Sequence, residues 1–333
     1  MQDSTLAYRP GRILRAAKAI ARRIPPIDRL VKQRDALLAL HAKIADLQAP
    51  DASSDAVYST MSIGPVRHHF DSPIVEPELL IMAQHWKIKR DAETDDLPLP
   101  PNDQREHYHA NRHFEHWLTG RKDAQHVIAA TADLPSNPII LDFGGATGRV
   151  IRHMPKLVGT CRCLIAEVNE QYVIWTNTHL APSVIAFQTR YQPPFPLPDH
   201  SVDVAMAFSV FTHIYEYETA WLLELRRVLK PSGLLYVTIH DDATWDTMEQ
   251  SVFHPLFTSS ADYQRLKRDH PKLEGRLRFA EPKRDVLSQK YINVFHSQKY
   301  IRSLWSYFFE VEAIHSLRHG HQAGVILRGR AWS

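Results

Sequence analysis

Three glycines fall within five positions of the stretch ILDFGGATGRVIRHM, Ile140 to Met154, at Gly144, Gly145 and Gly148. An apolar run enters the cluster and an arginine-bearing helical pattern leaves it, which is how backbone N–H groups are brought close to a small molecule. A loop for nucleoside triphosphates would end Gly-Lys-Ser/Thr, whereas this one ends Gly148-Arg149-Val150. A dinucleotide loop wants glycine at its first, third and sixth positions. Counted from Gly144, the third is Ala146 and the sixth is Arg149. Asp142, at the end of the apolar run, is poorly matched to a pyrophosphate and well matched to a cationic ligand.

Side chains able to move a proton lie further along. His213 in FTHI and His240 in TIHDD follow apolar runs, and Asp241 beside His240 could fix its tautomer. His296 in YINVFHS is a third candidate. His213 could equally pack beneath a ligand. In HYHANRHFEHW, His109, His113 and His116 share a helical face at metal-compatible spacing, but no acidic or cysteine partner stands at fixed spacing. The segment is read as a cap helix, and no metal is expected. Cys161 and Cys163 are too close for an easy disulfide in an extended segment and too few for a zinc site, so they read as strand residues of a chain in a reducing cytoplasm.

The elements that would position these groups alternate. Apolar runs at Ile139–Phe143, Cys163–Val168, Val184–Phe187, Val202–Phe208, Leu234–His240, Phe309–His315 and Gly324–Leu327 are mostly separated by helical patterns such as YETAWLLELRRVLK. That order predicts an α/β fold with a doubly wound, mainly parallel seven-stranded sheet. An insertion at 241–297 interrupts it. Its Tyr263, Tyr291 and Phe295 suit a lid over a sugar or another ring-bearing metabolite, with Tyr291 and His296 the candidate substrate contacts. Upstream, one short helix is expected near Glu76–Trp86, then two more, the first running toward Gly120 and the second from Arg121 to about Asp133. The expected domains are a basic helical arm at 1–50, a connector with cap helices at 51–135, and an α/β domain at 136–333.

Composition narrows the class. A chain of 333 residues that is 44% hydrophobic can bury a large core. Its formal charge of +3 is too small to argue for nucleic acid. Residues 1–34 hold nine Lys/Arg against two Asp/Glu, so the basicity belongs to the arm. GRILRAAKAIARRIPP reads as a basic amphipathic helix, and a heptad-like run from Leu30 to Leu47 follows. The arm could dock on its own domain or self-associate. A peripheral contact through residues 1–48 with a protein or the inner membrane surface is the other expectation. No apolar run approaches a membrane-spanning length.

Taken together, ILDFGGATGR, LIAEVN, FPLPDHSVDVAMAFSVFTHI and LLELRRVLKPSGLLYVTIH resemble the ordered motifs of class I S-adenosylmethionine-dependent methyltransferases, over roughly Pro138 to His240. The resemblance implies the Rossmann-like methyltransferase fold with S-adenosylmethionine as cofactor. Residue by residue, it places Asp142, Gly144, Gly145, Ala146 and Gly148 around the methionine half. Glu167 would accept hydrogen bonds from both ribose hydroxyls, as a carboxylate can. Val168 would touch the adenine, and Phe208 joins the cofactor-binding set. Ala146 replaces the family's usual middle glycine.

An exocyclic-amine nucleic-acid methylase would carry an Asn/Asp-Pro-Pro-aromatic loop after the fourth strand, where this chain has SVFTHI. The expected acceptor is instead a hydroxyl of a small molecule or glycan, with no nucleic-acid partner. YINVFHSQKYIRSLW and the strands after it loosely resemble bacterial methyltransferases associated with surface-glycan assembly. The alternatives are a nicotinamide-dependent dehydrogenase and a methyltransferase-like partner subunit without turnover.

Overall fold

The computed structural model describes residues 77–330, apart from 107, 110, 111, 132, 251–256, 258, 259 and 281–291. The basic arm, the first part of the connector and Tyr291 lie outside the described residues. Seven strands form one sheet in the order β3-β2-β1-β4-β5-β9-β8. They are β1 (Ile139–Phe143), β2 (Arg162–Glu167), β3 (Val184–Gln188), β4 (Val202–Ala207), β5 (Leu229–Ile239), β8 (Phe309–His319) and β9 (Gln322–Gly329). The first five pair in parallel, and β9 runs antiparallel between β5 and β8.

Both faces of the sheet are covered, which is why its strands read as continuous apolar runs. Leu141, Phe143, Ala205, Leu235 and Val237 face one way into a core with Trp221, Leu222, Leu225 and Trp305. Their neighbours Ile140, Ile165, Val204, Met206 and Leu234 face the other, against Ala124, Val127 and Trp175. Chain order reverses where β1 lies between β2 and β4. That reversal opens a crevice at the carboxyl ends of the strands, the usual ligand position in such sheets.

Three local expectations change. The short helix expected near Glu76–Trp86 is α1 (Pro77–Gln84), and a second, unexpected one, α2 (Trp86–Glu93), follows it directly, capped by His85, whose ring accepts from the N–H of Lys87. The two helices expected around Gly120 are one, α3 (His113–Ala129). Gly120 does not end the helix; it admits a close crossing, since a Cβ there would stand 2.2 Å from the backbone oxygen of Arg149. The helix after β4 gives way at Val228 directly to β5, where Leu229 pairs with Val202 before the register shifts.

The insertion is a small folded unit. Helices at Asp242–Thr247 and Ala261–Asp269 pack with the antiparallel pair β6 (Arg276–Ala280) and β7 (Ile292–His296). Trp245, Phe257, Tyr263, Phe279 and Phe295 form its apolar centre. Its last strand is stitched to the main sheet's edge. The N–H of Val294 donates to the carbonyl of Thr212, and the N–H of His296 to that of His240, each at 2.8 Å.

Candidate active site

Strand β1 delivers Asp142 to the crevice and runs into a turn with three residues in the left-handed region: Gly144 (φ 68), Ala146 (φ 45) and Gly148 (φ 80). Glycine takes that conformation freely, but Ala146 takes it against its own Cβ. Close packing explains two of the glycines. A Cβ on Gly144 would lie 2.6 Å from Cγ2 of Val210, and one on Gly145 would lie 2.7 Å from Oδ2 of Asp142. The turn is tied to the next strand by the N–H of Gly144, which donates to the carbonyl of Ala166 at 2.8 Å.

Glu167 closes β2, almost fully buried. Its carboxylate accepts from the N–H of Ala146 and the N–H of Asn169, both at 2.9 Å. Burial raises its pKa, and the backbone N–H groups of Asn169, Ala146 and Val168 oppose that shift. Asp142 is pushed up to about 8, chiefly by burial and further by Glu167, with Arg149 pulling the other way. A carboxyl buried so deeply calls for a cation beside it. Arg149 is already committed, since it pairs with Asp123 at 2.7 Å and lies 4.4 Å over the Tyr108 ring.

A cavity of about 670 Å³ joins these groups to the ends of β4 and β5. Within the range of small-molecule sites, it is lined on one side by Asp142, the glycine turn, Glu167 and Val168. Phe208 also lines it, stacked on Tyr236 at 5.8 Å. The opposite side includes His213 and His240. His213 is fixed by its Nδ1, 2.8 Å from the carbonyl of Ile292. His240 is almost fully buried, and neither ring nitrogen has a partner in good hydrogen-bonding geometry. Burial, then the nearby His321, His213 and His296 rings, hold its pKa well below the usual histidine value, weakly opposed by the Val294 backbone.

Two expected site residues stand elsewhere. Asp241 does not touch His240; its carboxylate caps the helix at Asp242–Thr247, accepting from the N–H of Thr244 at 3.1 Å and from Gln298 Nε2 at 2.9 Å. His296 is off the cavity wall, because its Nε2 lies 2.9 Å from Oε2 of Glu218 in a buried cluster that also holds Arg276, Tyr300 and Trp305. Among the described residues no His, Cys, Asp or Glu group is arranged to hold a metal ion. His109 precedes α3 rather than sharing a face with His113 and His116, and Nδ1 of His116 is bound to the carbonyl of Tyr108 at 2.8 Å. Cys163 lies within β2 and Cys161 just before it, their sulfurs 3.6 Å apart.

The cavity also uses residues that carry no motif. Tyr108, from the strap before α3, joins its hydroxyl to Ser209 Oγ, which in turn bonds the Gln322 amide from the start of β9. Asn293 from the insertion and His321 from the β8–β9 turn complete that wall.

Residues 141–237 match the family described as "Methyltransferase domain". A sterol 24-C-methyltransferase of Eremothecium gossypii is 25% identical over 178 residues, which is 46% of this chain and 47% of that protein, so the chain spans about half the length of this curated relative. Among solved structures, a SAM-dependent methyltransferase from Aquifex aeolicus aligns at TM-score 0.41 and 16% identity over 63% of this chain and 93% of its own. Geranyl diphosphate C-methyltransferase from Streptomyces coelicolor A3(2) aligns at TM-score 0.45 and 11% identity, over 85% of this chain and 100% of its own. The strand order, the glycine turn answered by Glu167 and the match over residues 141–237 agree: this stretch is similar to class I S-adenosylmethionine-dependent methyltransferase domains, and S-adenosylmethionine is the cofactor that the match supports.

Proposed function

We propose that this chain transfers a methyl group from S-adenosylmethionine to a hydroxyl of a small molecule or glycan, with His240 taking the hydroxyl proton. The observation that carries the reading is His240 itself: a buried imidazole on the cavity wall with no side-chain partner on either nitrogen. Its depressed pKa keeps it neutral near pH 7, the form that accepts a proton.

Bound cofactor supplies an electrophilic methyl group on a sulfonium. The chain's own contribution is alignment, water exclusion and the proton. S-adenosylmethionine held there would supply the methyl to the acceptor oxygen, its sulfur retaining the electron pair of the carbon–sulfur bond. The hydroxyl proton passes to a ring nitrogen of His240 and then to solvent. Asp142 would stand by the cationic methionine half and Glu167 by the ribose hydroxyls, with Val168 and Phe208 bounding the cofactor. His213, held by the Ile292 carbonyl, would shape the wall between cofactor and acceptor.

His240→Ala should retain cofactor affinity, measured by calorimetry, and lose about 100-fold or more in methyl transfer. Because burial holds the base low, the acidic limb of the wild-type profile should lie below the range of an ordinary histidine. His213→Ala is the comparison, expected to weaken cofactor binding as well as rate. Near wild-type turnover by His240→Ala would move the base elsewhere.

A surface-glycan acceptor, and attachment of residues 1–48 to an anionic membrane or a partner, complete the proposal. No helix among the described residues is long and apolar enough to cross a membrane. Vesicle co-sedimentation with and without residues 1–48 tests the attachment. Equal binding by both forms, or none by the full chain, removes it.

A further inference from the structure

The two sides of the cavity differ in charge. Its charged lining residues are Arg105, Glu106, Asp142, Arg149, Glu167 and Arg190, which come from the strap before α3, the glycine turn and the ends of β1, β2 and β3. The wall built from residues 208–210, 212–214, 221, 240, 257, 293 and 321–322 holds no Lys, Arg, Asp or Glu among its described lining residues. It is polar all the same, through Thr212, His213, His240, Asn293, His321 and the Ser209–Gln322 pair.

Of the three imidazoles on this wall, His240 and His321 are held neutral at neutral pH. Burial lowers His321 to about 4, and His240 lies well below the ordinary value. An anionic acceptor group would give up its hydration here with no Lys or Arg on the wall to replace it. A hydrocarbon acceptor fails for the opposite reason. It would cover the buried imidazole of His240 with groups that can neither donate to it nor accept from it. An uncharged group with several hydroxyls meets both conditions, since each hydroxyl both donates and accepts.

The spacing indicates more than one hydroxyl. The His240 and His321 rings lie 5.3 Å apart, tilted by 38°, and Phe257 stands 6.4 Å from His240, offering an apolar face. Asn293 reaches the same wall because β7 is bonded to the Thr212 and His240 carbonyls through Val294 and His296. Building on the reading of hydroxyl methylation, we propose that the acceptor presents an uncharged ring with vicinal hydroxyls, one facing His240 and its neighbour read by Asn293 and His321. The insertion then acts as a specificity element, placing Asn293 where a second hydroxyl must be.

The test uses full-length protein saturated with S-adenosylhomocysteine, with calorimetry confirming that the cofactor site is filled. Saturation-transfer NMR then compares methyl glycosides bearing vicinal hydroxyls, their monodeoxy counterparts, sugar phosphates and geraniol. The diol glycosides should bind about tenfold or more tightly than the monodeoxy compounds. Asn293→Ala, and separately His321→Gln in case the first variant fails to fold, should shrink that ratio by about tenfold. Equal binding of diol and monodeoxy compounds, preference for a sugar phosphate or geraniol, or no binding of any diol would overturn the proposal. Failure of S-adenosylhomocysteine to bind would instead strike at the methyl-transfer reading beneath it.

Discussion

The backbone N–H of Ala146 donates to Oε2 of Glu167 at 2.9 Å, so the tip of the glycine turn and the carboxylate closing β2 form one unit. The contact is made at a residue held at φ 45, where a Cβ is unfavourable. Glu167 thus does two things. It fixes the turn, and its second oxygen, bound to the N–H of Asn169, aligns the carboxylate across the cavity edge.

Removing that carboxylate should be felt in binding. Glu167→Ala is expected to weaken S-adenosylmethionine by about 1.5–3 kcal/mol through lost charge-assisted hydrogen bonds. Titration calorimetry on a variant shown to be folded is the measurement. Unchanged affinity would take Glu167 out of the ribose site.

Asp142 should make cofactor binding depend on pH. Burial, aided by Glu167 and opposed by Arg149, holds its pKa at about 8 in the free protein, so it is largely protonated at pH 7. A cationic ligand favours the ionised form and lowers that pKa, so binding releases a proton. Affinity should therefore rise with pH and level off above about 8, and Asp142→Asn should remove the slope. Calorimetry at pH 7 in buffers of different ionisation enthalpy counts the proton; uptake, or no exchange, would contradict the assignment.

Gly120→Ala should destabilise the protein, because its Cβ would fall 2.2 Å from the Arg149 carbonyl oxygen. Backbone cannot yield as a flexible side chain can, and a loss of about 2–3 kcal/mol is expected. Cofactor affinity should fall too, since Arg149 continues the glycine turn. A melting temperature equal to wild type would refute the close crossing.

Glu218 anchors the insertion, and its contribution should vanish in acid. Burial alone would raise its pKa, but the His296 ring, Arg276 and Trp305 bring it down to about 2 from the usual 4.5. A carboxylate depressed in the folded state contributes stability above its unfolded pKa, and loses it as pH falls from about 4.5 toward 2. The contribution near neutrality is about 3 kcal/mol. Denaturant titrations between pH 7 and pH 3 should show Glu218→Gln less stable at pH 7, with the gap closing at low pH. A constant gap would mean that the effect is one of packing.

Much of this site could be read in the chain. Asp142, the glycines and Glu167 stand at the ends of consecutive parallel strands, and a strand's end is marked in sequence by where its apolar run stops. His240 was equally visible at the end of β5. What could not be read was the direction of side chains in the insertion. Asp241 is adjacent to His240, yet the helix it caps turns its carboxylate away. His296 carries the same chemistry as His240, but β7 aims it at Glu218. Asn293 and His321 carry no local signature, because they meet the cavity only through pairing between segments distant in sequence. Gly120 looked like a helix end because glycine's breaking tendency is local, whereas its reason here is a long-range crossing.

The most direct test of the central claim is where the methyl group goes. Full-length protein incubated with methyl-13C-labelled S-adenosylmethionine and cell-envelope glycan extract should yield a product whose labelled carbon, by heteronuclear NMR, is bonded to oxygen as a methyl ether. Its formation should fall about 100-fold in His240→Ala. Label on carbon or nitrogen, or a product formed equally well without His240, would contradict the account.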